Sequence, residues 1–206
     1  LRHVGAWPAT SRNGLHTTPP CRDALESLLN RALAGCIDRP LRRHLRRCER
    51  AGAVDLHLKP YHGKRQDDPN ELVRGQAKSG TSHFHAYATA YLVLRGQRFT
   101  LALTYVRAGE PIEDALKRLM RRCAELQIKV GLVLLDRGFW KVRVIRYLQA
   151  ARYPFLMPVI ARGKKADKPG GPSGTRVYQY WRKGGWSEYT LKETGKAGKT
   201  ATVRIG

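Results

Sequence analysis

Residues 130–135, VGLVLL, constrain the fold more than any other part of the chain. Six apolar residues run without a polar one, so an extended segment here must be covered on both faces. The flanking segments supply that cover. Residues 111–127, PIEDALKRLMRRCAELQ, set Ile112, Ala115, Leu116, Leu119, Met120, Cys123 and Leu126 on one stripe at helical spacing. Pro111 stands at the start, with Glu113 and Asp114 in the first turn, where the helix dipole favours acids. Residues 140–151 repeat the helical spacing with Val144, Ile145 and Leu148 facing inwards, and PFLMPV reads as a further short strand. Helix, doubly apolar strand, helix and strand predict a central parallel pair covered by helices.

Upstream the period changes from 3.6 to two. In AVDLHLKPY, Val54, Leu56 and Leu58 share one face and Ala53, Asp55 and His57 the other. HFHAYATAYLVL alternates again, with Phe84, Ala86, Ala88, Ala90 and Leu92 against His83, His85, Tyr87, Thr89 and Tyr91. RGQ then turns the chain into RFTLALTYV. The intervening HGKRQDDPNELVRGQAKSG reads as a polar loop, with Asp67 and Asp68 as turn residues beside Pro69 and Asn70. The order is β-β-β-α-β-α-β, a mixed five-stranded α/β sheet over residues 51–160.

Residues 1–21 carry no periodicity and are expected to be loosely ordered. Residues 22–50 are helical in pattern, through Leu25, Leu28, Leu29, Ala32 and Leu33, with a break at Pro40. The second half, LRRHLRRCER, is coated by Arg42, Arg43, Arg46, Arg47 and Arg50. Such a run is either a solvated face or a phosphate contact. Residues 161–206 are basic and Gly/Pro-rich, then strand-like from RVYQYW onward, and read as the start of a β-rich subdomain. Because the chain opens on Leu1 and closes on an alternating TATVRIG, a fragment of something longer is expected.

Lys and Arg total 39 against 16 Asp and Glu, a net charge of +23. That excess calls for a polyanionic partner, and nucleic acid comes first. No apolar run approaches the roughly 20 residues of a membrane-spanning helix. Cys21, Cys36, Cys48 and Cys123 include no Cys-x-x-Cys pair, which fits reduced thiols in a cytoplasmic protein.

Asp136 follows the apolar strand directly, and Asp55 sits mid-strand on the first. If those strands are neighbours, the carboxylates face each other across about 5 Å. Unpaired, they would repel and one would hold a proton. A Mg²⁺ ion removes that cost, and metal-held carboxylates serve in-line phosphoryl displacement. The other reading is that each is a surface residue or a cap, with DRGFW a plain strand-to-helix turn.

AVDLHLKPYHGK, DDPNELVRGQAKSGTSHFHAYATAYLV, FTLALTYV and VLLDRGFW followed by VIRYLQAARYPFLMPV resemble, in that order, the DDE transposases of prokaryotic insertion sequences, specifically the insertion-sequence four group. The resemblance covers roughly residues 50–200. It implies a ribonuclease H-like core, DNA cleavage and strand transfer dependent on Mg²⁺ or Mn²⁺, and a β-rich insertion. It maps Asp55 and Asp136 onto the first two catalytic, metal-holding acids. It also implies double-stranded DNA as partner and a nucleoid-associated protein when bound; with the net charge of +23, Arg42, Arg43, Arg46, Arg47, Lys59 and Arg137 are the residues expected to contact the DNA phosphates. A homodimer on DNA is one assembly compatible with it. The third acid of that family lies in a Tyr-x₂-Arg-x₃-Glu-x₆-Lys pattern. Asp167, Glu188 and Glu193 do not fit it, so the third acid is expected beyond Gly206. An inactive remnant that only binds DNA is the competing function.

Three other features have two readings each. His57, His83 and His85 form either a zinc site or ordinary polar packing beside Tyr87. Arg137 either steadies Asp136 or a phosphate, or is simply solvated. Trp181 and Trp186 either stack on bases or pack a small β core.

Overall fold

The computed structural model describes residues 21–63, 68–94, 96–182, 184–193 and 198–206. The expectation for residues 1–20 lies outside this range, as does the turn reading of Asp67. Two helices come first, α1 (Arg22–Gly35) and α2 (Arg39–Arg47). The break between them falls at Cys36–Asp38, ahead of the expected Pro40. Asp38 Oδ1 accepts the Leu41 N–H at 2.7 Å, and Pro40 occupies the first turn, where no N–H is needed. The helical segment ends at Arg47, because Arg50 already belongs to the first strand.

The sheet is built from β1 (Arg50–Pro60), β2 (Val73–Lys78), β3 (Thr81–Leu94), β4 (Gln97–Val106), β5 (Val130–Leu135) and β6 (Phe155–Leu156). Its order is β2-β3-β1-β5-β6, and β4 pairs with β3 beyond the stretch that β2 occupies. The sheet therefore has six strands, not five. β2 was hidden in a segment read as loop because its residues from Arg74 to Lys78 are all exposed. Pairing with Val73↔Phe84 and Lys78↔Thr81 holds it, not an apolar pattern. β5 is parallel to both β1 and β6, as its doubly apolar sequence predicts.

Helices α3 (Ile112–Glu125) and α4 (Val142–Ala150) bury the expected stripes, Leu116, Leu119 and Cys123 on one and Val144, Ile145 and Leu148 on the other. They share a core with Val54, Ala86, Ala88, Ala90, Leu92, Val133 and Leu135. The alanines of β3 leave room for α3, which packs over β3 and β4. Burial of the Cys123 thiol in this layer pushes its pKa up to about 12.

α1 lies along the outer edge of β4. Asn30 donates to the Leu103 carbonyl at 2.8 Å and accepts the Leu103 N–H at 2.9 Å, and Glu26 accepts the Tyr105 N–H at 2.9 Å. Helix side chains thus satisfy the backbone groups that an open edge strand would expose.

After β6, Thr175 folds the basic loop back on itself. Its hydroxyl donates to the Ile160 carbonyl at 2.6 Å and accepts the Arg162 N–H at 2.8 Å. The stretch from Gly174 to Tyr180, expected to be strand-like from Arg176 on, is 3₁₀-helical. The hairpin of β7 (Ser187–Lys192) and β8 (Thr200–Ile205) follows. It rests on α4, where Gln149 donates to the Thr202 carbonyl at 2.7 Å and Arg143 meets Glu193 at 3.0 Å.

Candidate functional site

The last pair in the parallel β1–β5 register is Val54↔Leu135, and both side chains are buried in the helix-covered layer. The next residue on each strand is Asp55 and Asp136. Alternation turns these two to the opposite face, side by side on adjacent strands. Asp55 also stands opposite Thr89 in the β1–β3 register. The two acids that the sequence singled out therefore each follow directly on the last paired residues of adjacent strands, at the point where β5 ends and β1 runs on.

Asp136 caps the turn that follows. Its Oδ1 accepts the Gly138 N–H at 2.8 Å, opening a 3₁₀ turn over Arg137–Phe139. The cap reading thus holds for one oxygen and leaves the other available. Gly138 suits this close approach, because a Cβ there would lie 3.0 Å from the same carboxylate oxygen. Arg137 is exposed at the site's rim.

Asp55 is half-buried, with the His57 Nε2 3.5 Å from its Oδ2. His57 stacks on Tyr87 at 4.8 Å and lies 3.2 Å from the Thr89 hydroxyl. Thr89 in turn accepts an N–H from Arg98 at 3.3 Å, and the Arg98 guanidinium lies 3.6 Å above the Tyr91 ring. The period-two pattern of β3 groups Tyr87, Thr89 and Tyr91 on one face, and the β1–β3 register makes it the Asp55 face. Arg98 went unremarked, since nothing in RFTLALTYV tells how far an arginine side chain reaches along a sheet.

The histidines do not converge. His57 serves Asp55, whereas His85 lies 3.6 Å from Glu71 and edge-on to Tyr61 at 5.1 Å. Among the described residues no three His, Cys, Asp or Glu side chains cluster as a metal site. The Asp55–Asp136 pair offers two hard oxygen donors, which suits an ion such as Mg²⁺ that keeps several waters. It does not suit a zinc cage.

The basic residues separate by role. Arg43, Arg46 and Arg47 are exposed on α2. Arg42 instead closes the end of α1, donating to the Ala34 carbonyl at 2.7 Å and more weakly to that of Ile37 at 3.4 Å. Arg50 meets His44 at 2.8 Å. Lys59 is exposed on β1 and pairs in register with His85. Glu193 is engaged by Arg143, Glu188 stands opposite Arg204 on the hairpin, and Asp167 sits in the exposed basic loop. Trp181 packs edge-on to Tyr178 at 4.8 Å, and Trp186 is exposed with the Arg204 guanidinium 5.4 Å from its ring. No helix among the described residues is long and apolar enough to cross a membrane.

No family model matches the chain, and no curated protein matches it. Among solved structures, a cryo-electron microscopy structure of a piggyBac transposase synaptic complex with hairpin DNA aligns at a TM-score of 0.42 and 12% identity. The alignment covers 89% of this chain and 39% of that one.

Proposed function

We propose that this chain is the ribonuclease H-like core of a DDE-type transposase, of the insertion-sequence four kind that its motifs resemble. Its reaction would be metal-dependent cleavage of DNA and strand transfer. One observation supports the reading: the parallel β1–β5 pairing ends at Val54↔Leu135, directly before Asp55 and Asp136 on the two adjacent strands. The strand order supports it. With the short β2 set aside, the strands run β4-β3-β1-β5-β6, three antiparallel strands followed by two parallel crossovers. The net charge of +23 supplies the affinity for a polyanion.

Asp55 and Asp136 would hold Mg²⁺ or Mn²⁺. Bound there, the ion would supply charge neutralisation and activation of the attacking oxygen. The chain's own residues do the rest. Asp136 is held in place by the Gly138 N–H, and His57 sits beside Asp55, steadied by Tyr87. Arg43, Arg46, Arg47, Lys59 and Arg137 would attract phosphates. A second reading is a DNA-binding module without catalysis. It is favoured by the absence, among the described residues, of a third acid joining the pair.

The experiment is duplex-DNA affinity with and without Ca²⁺, an ion that takes oxygen ligands as Mg²⁺ does. The metal should tighten binding to the 206-residue chain, and Asp55→Asn should remove that gain while leaving metal-free binding intact or stronger. Affinity indifferent to metal in the native chain would overturn the metal-site reading and leave the binding module.

A further inference from the structure

We infer that Arg98 is a phosphate-binding residue of this site, placed to hold the DNA strand one strand position away from Asp55. The inference rests on the proposed function and adds a residue and a ligand to it. Arg98 is in register with Val93, four residues further along β3 than Thr89, on the face that carries Asp55. Its side chain is exposed but is not extended away from the sheet. It lies back along the sheet, guanidinium over Tyr91, and donates to the Thr89 hydroxyl. Thr89 is itself the cross-strand partner of Asp55. Across the sheet the order is therefore guanidinium, Asp55, Asp136, in steps of about 5 Å.

Arg98 makes no ion pair with either acid. Thr89 and His57 stand between it and Asp55, and the hydroxyl of Thr89 takes one N–H. The guanidinium has five N–H donors in a planar fork, so most remain directed at solvent from an exposed residue. An arginine fixed at both its stacking face and one donor has already lost much of its rotamer freedom, which favours binding a ligand there. It lies beside a carboxylate pair yet leaves both acids unneutralised. The acids stay available to a cation and the guanidinium to an anion. A phosphodiester lying across the face satisfies all three groups, and a guanidinium fork suits phosphate oxygens better than a lysine would.

The test is the salt dependence of binding to a short DNA duplex by the 206-residue chain and its variants. Arg98→Gln should lower the slope of log affinity against log salt by about 0.9, the share of one phosphate contact. Arg98→Lys should restore the slope. Thr89→Val, which removes the anchor but keeps the charge and the volume, should weaken binding with the slope unchanged. A slope for Arg98→Gln equal to that of the native chain overturns the inference. So does a thermal-melting loss shared by Arg98→Gln and Arg98→Lys with no difference between their slopes, since the side chain would then be structural. Failure of the proposed function looks different: affinity would be indifferent to Ca²⁺ in the native chain while the Arg98 slopes stayed distinct.

Discussion

Replacing Asn30 with alanine should detach the first helix from the sheet edge. The Asn30 amide donates to the Leu103 carbonyl at 2.8 Å and accepts its N–H at 2.9 Å, so truncation orphans both backbone groups at once. An unsatisfied buried group costs about 1–3 kcal/mol, giving a range of about 2–6 kcal/mol for the pair. The groove between α1 and α3 that Asn30 and Leu101 line admits water, which favours the lower part of that range, about 2–4 kcal/mol. For a chain of this length, each kcal/mol moves the melting temperature by about 2–4 °C. Calorimetry should therefore show a fall of roughly 4–16 °C. Asn30→Asp sets a carboxylate oxygen against the Leu103 and Glu26 carbonyls, so it should cost at least as much as alanine. A change under about 0.5 kcal/mol for Asn30→Ala, the scatter of ordinary surface substitutions, would refute the claim that α1 closes the edge of β4.

Other consequences are open to simple assays. Arg43→Ala, Arg46→Ala and Arg47→Ala should each lower the salt slope of DNA binding by up to about 0.9, with little effect on stability. Arg42→Ala should instead cost about 1.5–3 kcal/mol of stability in denaturant unfolding, because its charged donor closes α1. Burial raises the Cys123 thiol from its ordinary 9.0 to about 12 in the folded chain, so folding opposes its ionisation. Its contribution is fully present below pH 9 and is lost as pH rises towards 12. The loss is about 1.4 kcal/mol per pH unit, and it should be absent in Cys123→Ala when unfolding is measured across that window. Exposed Cys21 and Cys36 should react with a thiol reagent at once, and Cys123 only on unfolding.

Much of the fold was legible because apolar spacing reports burial directly. VGLVLL became β5 without a shifted boundary, and the stripes of residues 111–127 and 140–151 became α3 and α4 within a few residues. β2 was not legible, since an edge strand held by backbone pairing needs no side-chain pattern. RVYQYW misled in the other direction. Its aromatic and β-branched residues favour a strand, but Thr175 binds the loop and leaves the stretch a 3₁₀ helix. Within the candidate site, Asp55 and Asp136 could be paired on paper once their strands were taken as neighbours. Arg98 could not, because its role depends on a side chain laid along the sheet over Tyr91. Arg42 shows the reverse: a basic residue in a basic run, occupied by the carbonyls of Ala34 and Ile37.

The central claim is that Asp55 and Asp136 share one divalent ion. Mn²⁺ titration followed by electron paramagnetic resonance, on the native chain, Asp55→Asn, Asp136→Asn and the double variant, tests it most directly. If one ion is shared, each single change should weaken binding at least about tenfold, some 1.4 kcal/mol. The double variant should then lose little more than either alone, a strong non-additivity. Two independent, additive losses, or native-like Mn²⁺ binding in either single variant, would contradict a shared site.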